Sequence, residues 1–191
     1  MREVLLKALS RYPVFTSKNV VSISGKNRQY AYLIVHRLKK NGKIQEIEKG
    51  KYTCDSDPLL VASWVTWPSY ISSWAALNYY HLTEQLPFTI HVVTTRKRKA
   101  KTVLFQGTKL EFIKIKPSAF MGFGRITYQG KEIFMAEKEK AIVDGLVARK
   151  MSLAEAVELV KNNKGKLSVR KLFAFARLFP NLVLKLKKGL K

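Results

Sequence analysis

A helix with one apolar face is predicted in the first third of the chain, between Ser24 and Asn41. Its apolar positions recur every three or four residues, as the buried side of a helix requires. These positions are Ala31, Ile34, Val35 and Leu38. We expect Ser24 to cap the helix by accepting a backbone N–H, and Asn41-Gly42 to end it with a left-handed residue.

A β-hairpin is predicted directly after this helix. Residues 43–48 and 52–53 are strand-like segments, and they flank Lys49-Gly50-Lys51, a sequence that favours a tight turn. The hairpin would therefore carry two lysines at its tip.

Two shorter helices are predicted before residue 24. The first, in residues 1–10, has Val4, Leu5, Ala8 and Leu9 on one face and ends before Pro13, and the second begins at a Thr16 or Ser17 cap. Three helices followed by a hairpin is the order of a winged helix-turn-helix, which we assign to residues 1–56. In DNA-binding members of this fold the last helix enters the major groove, whereas other members are protein-docking platforms.

The pattern changes character after residue 56, and a second domain is predicted over residues 57–191. A short helix begins at Asp57-Pro58, and a capped helix is expected in residues 70–82. Five strand-like segments follow Phe88 and predict a mostly antiparallel sheet. Helical spacing returns in residues 136–146, where residues 137–140 are expected to face outward, and then in residues 153–160, residues 169–179 and the segment after Pro180. The predicted fold class is α+β.

The net charge indicates which kind of partner the protein binds. The chain has 36 Lys and Arg against 13 Asp and Glu, a formal charge of +23, and both predicted domains are basic. Such a chain favours a polyanionic partner. Acids are absent from the exposed face of the predicted third helix, which indicates contacts with phosphates and base edges. The predicted DNA contacts of the first domain are Lys26, Asn27, Arg28, Gln29, Tyr32, Arg37, Lys40, Lys49 and Lys51. The alternative is a helix face that is only solvated.

A second basic segment, residues 96–101, lies between the first two predicted strands. We expect it at a hairpin tip, where cations can follow a phosphate backbone. Its predicted DNA contacts are Arg96, Lys97, Arg98, Lys99 and Lys101. A solvated loop that protects a sheet edge is the alternative.

Residues 161–191 contain ten basic residues and no acid, so the last helices should present a cationic face. A membrane-surface helix is the alternative for this tail.

Catalytic and metal-binding patterns are not found in the sequence. His36, His81, His91 and the single Cys54 fit no metal-ligand spacing, and Gly122-Phe123-Gly124 precedes a strand-like segment, unlike a dinucleotide-binding loop. We therefore predict a protein that is not an enzyme and needs no metal or cofactor. No apolar run is long enough to span a membrane and no signal peptide is apparent, so a cytoplasmic location is expected.

Three segments together resemble the AbiEi family of type IV antitoxins, which are transcriptional regulators. They are SYISSWAALNYYHLTEQLPFTIHVVTTRKRK, KIKPSAFMGFG and AEKEKAIVDGL, and the resemblance covers nearly the whole chain. It implies that a winged helix-turn-helix binds double-stranded DNA upstream of its own operon, with contacts at residues 26–29 and the wing. It also implies that the C-terminal domain counteracts a nucleotidyltransferase-like toxin encoded beside it.

Three functions remain open from the sequence. The first is an autorepressing antitoxin. The second is a sequence-neutral DNA-architectural protein or an RNA-binding protein, and the third is an antitoxin that docks its basic surface on an acidic toxin.

Overall fold

A computed structural model describes residues 2–190. The chain begins with three helices and a two-stranded antiparallel hairpin. These elements are α1 (Arg2–Leu9), α2 (Ser17–Ser24), α3 (Arg28–Lys40), β1 (Gln45–Glu48) and β2 (Lys51–Thr53). Phe15, between α1 and α2, pairs with Tyr52 of β2 through two backbone hydrogen bonds of 2.8 Å. The predicted helices before residue 24, the Thr16 cap and the hairpin are confirmed.

The predicted start of α3 at Ser24 is wrong. Ser24 is the last residue of α2, and Gly25 ends that helix in the left-handed region with φ +64°. Asn27 is the cap of α3 instead, because its Oδ1 accepts the backbone N–H of Tyr30 at 2.9 Å. A glycine between two capping side chains thus divides one predicted element into a helix end, a turn and a helix start.

The rest of the chain forms one sheet and six α-helices within residues 57–190. The helices are α4 (Pro58–Ala62), α5 (Ser73–Tyr79), α6 (Lys138–Val147), α7 (Leu153–Asn162), α8 (Val169–Ala176) and α9 (Pro180–Gly189). The strands are β3 (Ser69–Ser72), β4 (Thr89–Thr94), β5 (Thr102–Phe105), β6 (Thr108–Lys114), β7 (Phe123–Tyr128) and β8 (Lys131–Ala136). A short 3-10 helix, Pro117–Ala119, precedes β7. The fold class is α+β, as predicted.

The sheet is mostly antiparallel, as predicted, because three of its five strand pairs are antiparallel, but it is mixed. Its order is β5-β6-β4-β3-β8-β7, and the β4–β6 and β3–β8 pairs are parallel. Because β6 lies between β4 and β5, the loop of residues 95–101 crosses past β6 and is not a hairpin tip. The sequence period identifies strands but does not specify their partners.

The predicted helix over residues 70–82 is only partly correct. Residues 69–72 form β3, a strand that is buried along its whole length, and α5 begins at Ser73. Ser73 has φ +57°, so the backbone turns sharply between strand and helix. This turn places Tyr70 and Ser72 in the centre of the sheet, against α6.

Two buried hydrophobic clusters organise the described residues. The smaller contains the apolar faces of α1, α2 and α3, and the larger contains the sheet and the later helices. Ile47 of β1 belongs to the larger cluster, whereas Tyr52 of β2 packs on the smaller one. The hairpin therefore joins the two, and the boundary at residue 56 stays a prediction. Among residues 2–190, no helix combines the length and the apolar composition that crossing a bilayer requires.

Candidate nucleic-acid interface

The exposed face of α3 is basic and polar. Its buried face contains Ala31, Ile34, Val35 and Leu38, as the sequence predicts. The predicted contact residues on the opposite face are exposed: Arg28, Gln29, Tyr32, Arg37 and Lys40. Residues 4–45 contain nine Lys and Arg and no Asp or Glu. This surface therefore attracts anions along the whole of α3.

Arg28 is oriented by a neighbour one helical turn away. Its Nε–H donates to Tyr32 Oη at 2.9 Å, and its guanidinium carbon lies 5.3 Å from the centroid of the Tyr32 ring. Only Nε is used in this contact, so the two terminal nitrogens can still donate to a ligand. That geometry suits a bidentate acceptor such as a phosphate or a guanine edge.

Asn27 and Lys26 lie in the turn before α3, not on the helix. The Asn27 side-chain oxygen accepts the capping N–H, and the exposed amide N–H groups of the same side chain can donate to a ligand. Lys26 is exposed beside it, and its backbone N–H donates to Ser24 Oγ at 3.3 Å. Both residues are close to the helix N-terminus, where backbone N–H groups favour phosphate.

An ion pair fixes the end of α3 against the hairpin. Lys39 Nζ donates to a carboxylate oxygen of Glu46, and the other oxygen accepts the Gly50 backbone N–H at 3.2 Å. The hydrogen bond from Lys39 holds the pKa of Glu46 below its usual value, and the same bond raises the pKa of Lys39. Glu46 therefore holds the hairpin turn next to the C-terminal end of α3.

The two predicted lysines of the hairpin differ in their contacts. Lys49 is exposed in the turn. Lys51 Nζ donates to Glu48 Oε1 at 2.8 Å and to the carbonyl oxygen of Val65, in the segment after α4. The ammonium group of Lys51 thus joins the hairpin to the rest of the protein, and its role as a DNA contact stays a prediction.

Arg98 also makes contacts within the protein, and its predicted DNA contact stays a prediction. Its guanidinium carbon lies 3.9 Å from the centroid of the Phe112 ring, and its nitrogens donate to the Glu48 carboxylate and to Thr66 Oγ1. Its side chain is only 12% exposed. The other predicted contacts of this segment, Arg96, Lys97, Lys99 and Lys101, are exposed. We call residues 95–101 the basic loop.

Glu48 connects the hairpin with the basic loop. Burial alone would raise the pKa of its carboxyl, but the hydrogen bonds from Lys51 and Arg98 outweigh burial and lower it. The carboxylate is therefore charged at neutral pH and accepts from both cations. Sequence reasoning missed this contact because Glu48 and Arg98 are 50 residues apart. The available signal was that Glu46 and Glu48 are the first acids after Glu3.

A buried charged network lies behind β3. Lys140 and Asp144 form an ion pair on α6, Ser72 Oγ and Tyr70 Oη donate to Asp144 Oδ2 at 2.8 and 3.0 Å, and Lys140 Nζ donates to Tyr70 Oη at 2.9 Å. Burial raises the pKa of Asp144 and of Tyr70. The expectation that residues 137–140 face outward is wrong for Lys140, which is fully buried, and for Glu139.

The buried network is closed to solvent. Lys140, Tyr70 and Ser72 have no solvent exposure and Asp144 is 5% exposed, so a substrate in solution cannot reach them. Each polar group instead meets another member of the network, which offsets the cost of burial.

An open cleft of about 1170 Å³ lies between α5, residues 82–87 and α7. Four acids are among its lining residues, Asp57, Glu84, Glu155 and Glu158, and none of its lining residues is Lys or Arg. This charge disfavours phosphate there and favours the α3 side of the molecule. No group of three or more His, Cys, Asp or Glu close enough to hold a metal occurs within residues 2–190.

The last helices add a second cationic surface. Lys161, Lys164, Lys166, Lys187 and Lys188 are exposed, whereas Lys171 pairs with Glu137 at 3.0 Å. Leu172, Leu182 and Leu186 hold these helices in the larger hydrophobic cluster. Their positive charge is thus on the outside of a packed unit.

No protein-family model matches the chain, and no curated protein matches its sequence. The resemblance to AbiEi antitoxins therefore stays a prediction.

Proposed function

We propose that this protein is a DNA-binding transcriptional regulator whose α1, α2, α3 and hairpin act as a winged helix-turn-helix. The observation that carries the proposal is the exposed face of α3. It is free of acids, it has Arg28 oriented by Tyr32, and it begins at a capped N-terminus. These are the properties that a helix needs to contact base edges and phosphates in a major groove.

The cations have different proposed roles. Arg28 and Gln29, in the first turn of α3, contact base edges, because recognition helices use their N-terminal residues in this way. Arg37, Lys40 and Lys49 neutralise phosphates. The exposed cations of the basic loop extend this phosphate contact beyond the three-helix unit.

A more specific proposal follows from the resemblance to AbiEi antitoxins. The operator would lie upstream of the protein's own operon, and the C-terminal part would counteract a nucleotidyltransferase-like toxin. Coexpression with a toxin gene of this type beside its own is the direct test. Growth that is not restored would exclude the antitoxin role and leave DNA binding unaffected.

A footprint on the DNA upstream of its own gene, at about 50 and 200 mM salt, tests the proposed function. We expect a discrete protected site that persists at the higher salt concentration. Protection that is spread over the DNA without a preferred site, and that is lost at the higher salt concentration, would contradict base contacts by α3. It would favour the sequence-neutral alternative.

Arg98 and Lys99 are neighbours with different expected effects. Lys99→Ala should weaken binding to all DNA sequences alike and reduce the slope of log affinity against log salt by about 0.9, the value for one phosphate contact. Arg98→Ala should instead lower the free energy of unfolding by roughly 2 kcal/mol, because it removes one of the two cations that donate to Glu48 and the donor to Thr66 Oγ1. Salt titrations and urea unfolding of both variants check this. Equal effects of the two variants on unfolding would contradict the structural role of Arg98.

A further inference from the structure

Trp67, between α4 and β3, is held in place while much of its side chain faces solvent. It is 56% exposed. Its ring stacks on Trp64 with centroids 5.7 Å apart and an interplanar angle of 15°, and it meets Phe134 at 4.9 Å. Trp64 is fixed in turn, because its Nε1–H donates to the Glu132 carbonyl oxygen at 2.7 Å. We call Trp64, Trp67 and Phe134 the aromatic platform.

The basic loop and the end of β4 are hydrogen-bonded to the residues on either side of Trp67. The residue before it, Thr66, accepts a hydrogen bond from Arg98 of the loop. The residue after it, Pro68, accepts one from Thr94 at 2.6 Å, just where β4 leads into the loop. The exposed cations Arg96, Lys97 and Lys99 therefore belong to a loop that is hydrogen-bonded, through Thr94 and Arg98, to the residues on either side of Trp67.

The hairpin brings a further cation to the same region. Lys51 is bonded to the carbonyl oxygen of Val65, two residues before Trp67, and the exposed Lys49 lies in the same hairpin turn. The acid beside the platform, Glu132, is paired with Arg125 at 3.1 Å. Glu48, the acid that holds the hairpin and the basic loop together, is paired with Lys51 and Arg98, so the exposed charges of Lys49, Arg96, Lys97 and Lys99 leave this region with a positive excess.

An exposed, fixed aromatic ring among cations has the chemistry of a stacking site for a nucleobase. The ring receives the base, and the cations neutralise the adjoining phosphates. In an intact duplex the base faces are covered by neighbouring base pairs, so the ligand must present an unstacked base. An apolar protein surface would match Trp67 but would leave the surrounding cations without partners.

We propose that the aromatic platform binds an unstacked base of single-stranded DNA, with the basic loop and Lys49 on its phosphates. This site is separate from the exposed face of α3 and does not require that α3 recognise an operator. It gives the second predicted domain, residues 57–191, a nucleic-acid ligand that it binds together with Lys49 of the hairpin.

Fluorescence anisotropy with two labelled strands tests the proposal. The first is oligo-dT of about 12 nucleotides, and the second has the same length and phosphates but no bases. The intact protein should bind oligo-dT more tightly than the abasic strand. Trp67→Ala should weaken oligo-dT binding by about 5- to 150-fold, the effect of losing one stacked base, and leave abasic binding unchanged. Trp67→Phe should retain most of the affinity.

Either of two results of the anisotropy measurements would overturn the proposal. One is equal affinity of the intact protein for oligo-dT and for the abasic strand. The other is a loss of oligo-dT binding in Arg28→Ala as large as that in Trp67→Ala, which would assign the strand to α3. Arg28→Ala with normal oligo-dT binding supports a separate site even if no operator is found.

A second measurement does not depend on the folding of Trp67→Ala. It uses oligo-dT with a single 2-aminopurine, whose fluorescence should be quenched when this base stacks on the intact protein. Unchanged fluorescence on binding would reject the site.

Discussion

Asp144→Ala is expected to lower the free energy of unfolding by roughly 3–5 kcal/mol, the cost of leaving a buried charge without its partner. The Lys140 ammonium is fully buried and would lose its ion pair, while the hydroxyl groups of Tyr70 and Ser72 would lose their acceptor. Urea unfolding followed by circular dichroism measures the change. The effect should exceed that of any other single substitution considered for this protein.

Glu158→Ala is the matched control for Asp144→Ala, because it removes the same charge from an exposed position on α7. Its effect should stay within about 0.5 kcal/mol. A double variant, Lys140→Met with Asp144→Leu, should recover part of the lost stability, because no uncompensated charge remains buried. An Asp144→Ala protein as stable as Glu158→Ala would show that the network does not stabilise the fold.

Arg28→Ala is expected to lose roughly 1–3 kcal/mol of discrimination between operator and random DNA, if its terminal nitrogens donate to a base. The loss should appear in the ratio of the two affinities rather than in binding to random DNA alone. Tyr32→Phe should produce a smaller loss in the same direction, because it removes the oxygen that accepts from Arg28 Nε. Competition binding with operator and random duplexes measures both.

Lys40→Ala provides the comparison on the same helix, with the same loss of charge at an exposed position near the C-terminal end. It should weaken operator and random DNA by equal factors, as a phosphate contact does. If Arg28→Ala also weakens both by equal factors, Arg28 does not contact a base and the specific role of α3 is rejected.

The exposed face of α3 could be predicted from the sequence because helical spacing is a local property. The apolar residues fix which side is buried, and Arg28, Gln29, Tyr32, Arg37 and Lys40 then follow as exposed. The start of the helix was harder to locate, since Ser24 and Asn27 are both good capping residues and only one can occupy the cap. Gly25 decides between them by ending α2.

The roles of the charged residues could not be predicted in the same way. Lys51 and Arg98 look like solvated cations in a basic segment, yet both donate to Glu48, and Arg98 lies over Phe112. Lys140 and Asp144 are a common exposed pairing on a helix, but here β3 covers them with Tyr70 and Ser72. A charge is buried or exposed according to partners that are distant in the chain.

The sequence by itself determined the positive charge, the α+β class and the amphipathic helix with its hairpin, because composition and short-range periodicity specify these features. Only the tertiary structure decided the strand order, the path of the basic loop past β6, and the division of the cations into structural and exposed sets. It also decided that Trp67 lies beside that loop, through hydrogen bonds from Arg98 and Thr94 to residues on either side of it. These features depend on contacts between residues far apart in the sequence, which no local pattern encodes.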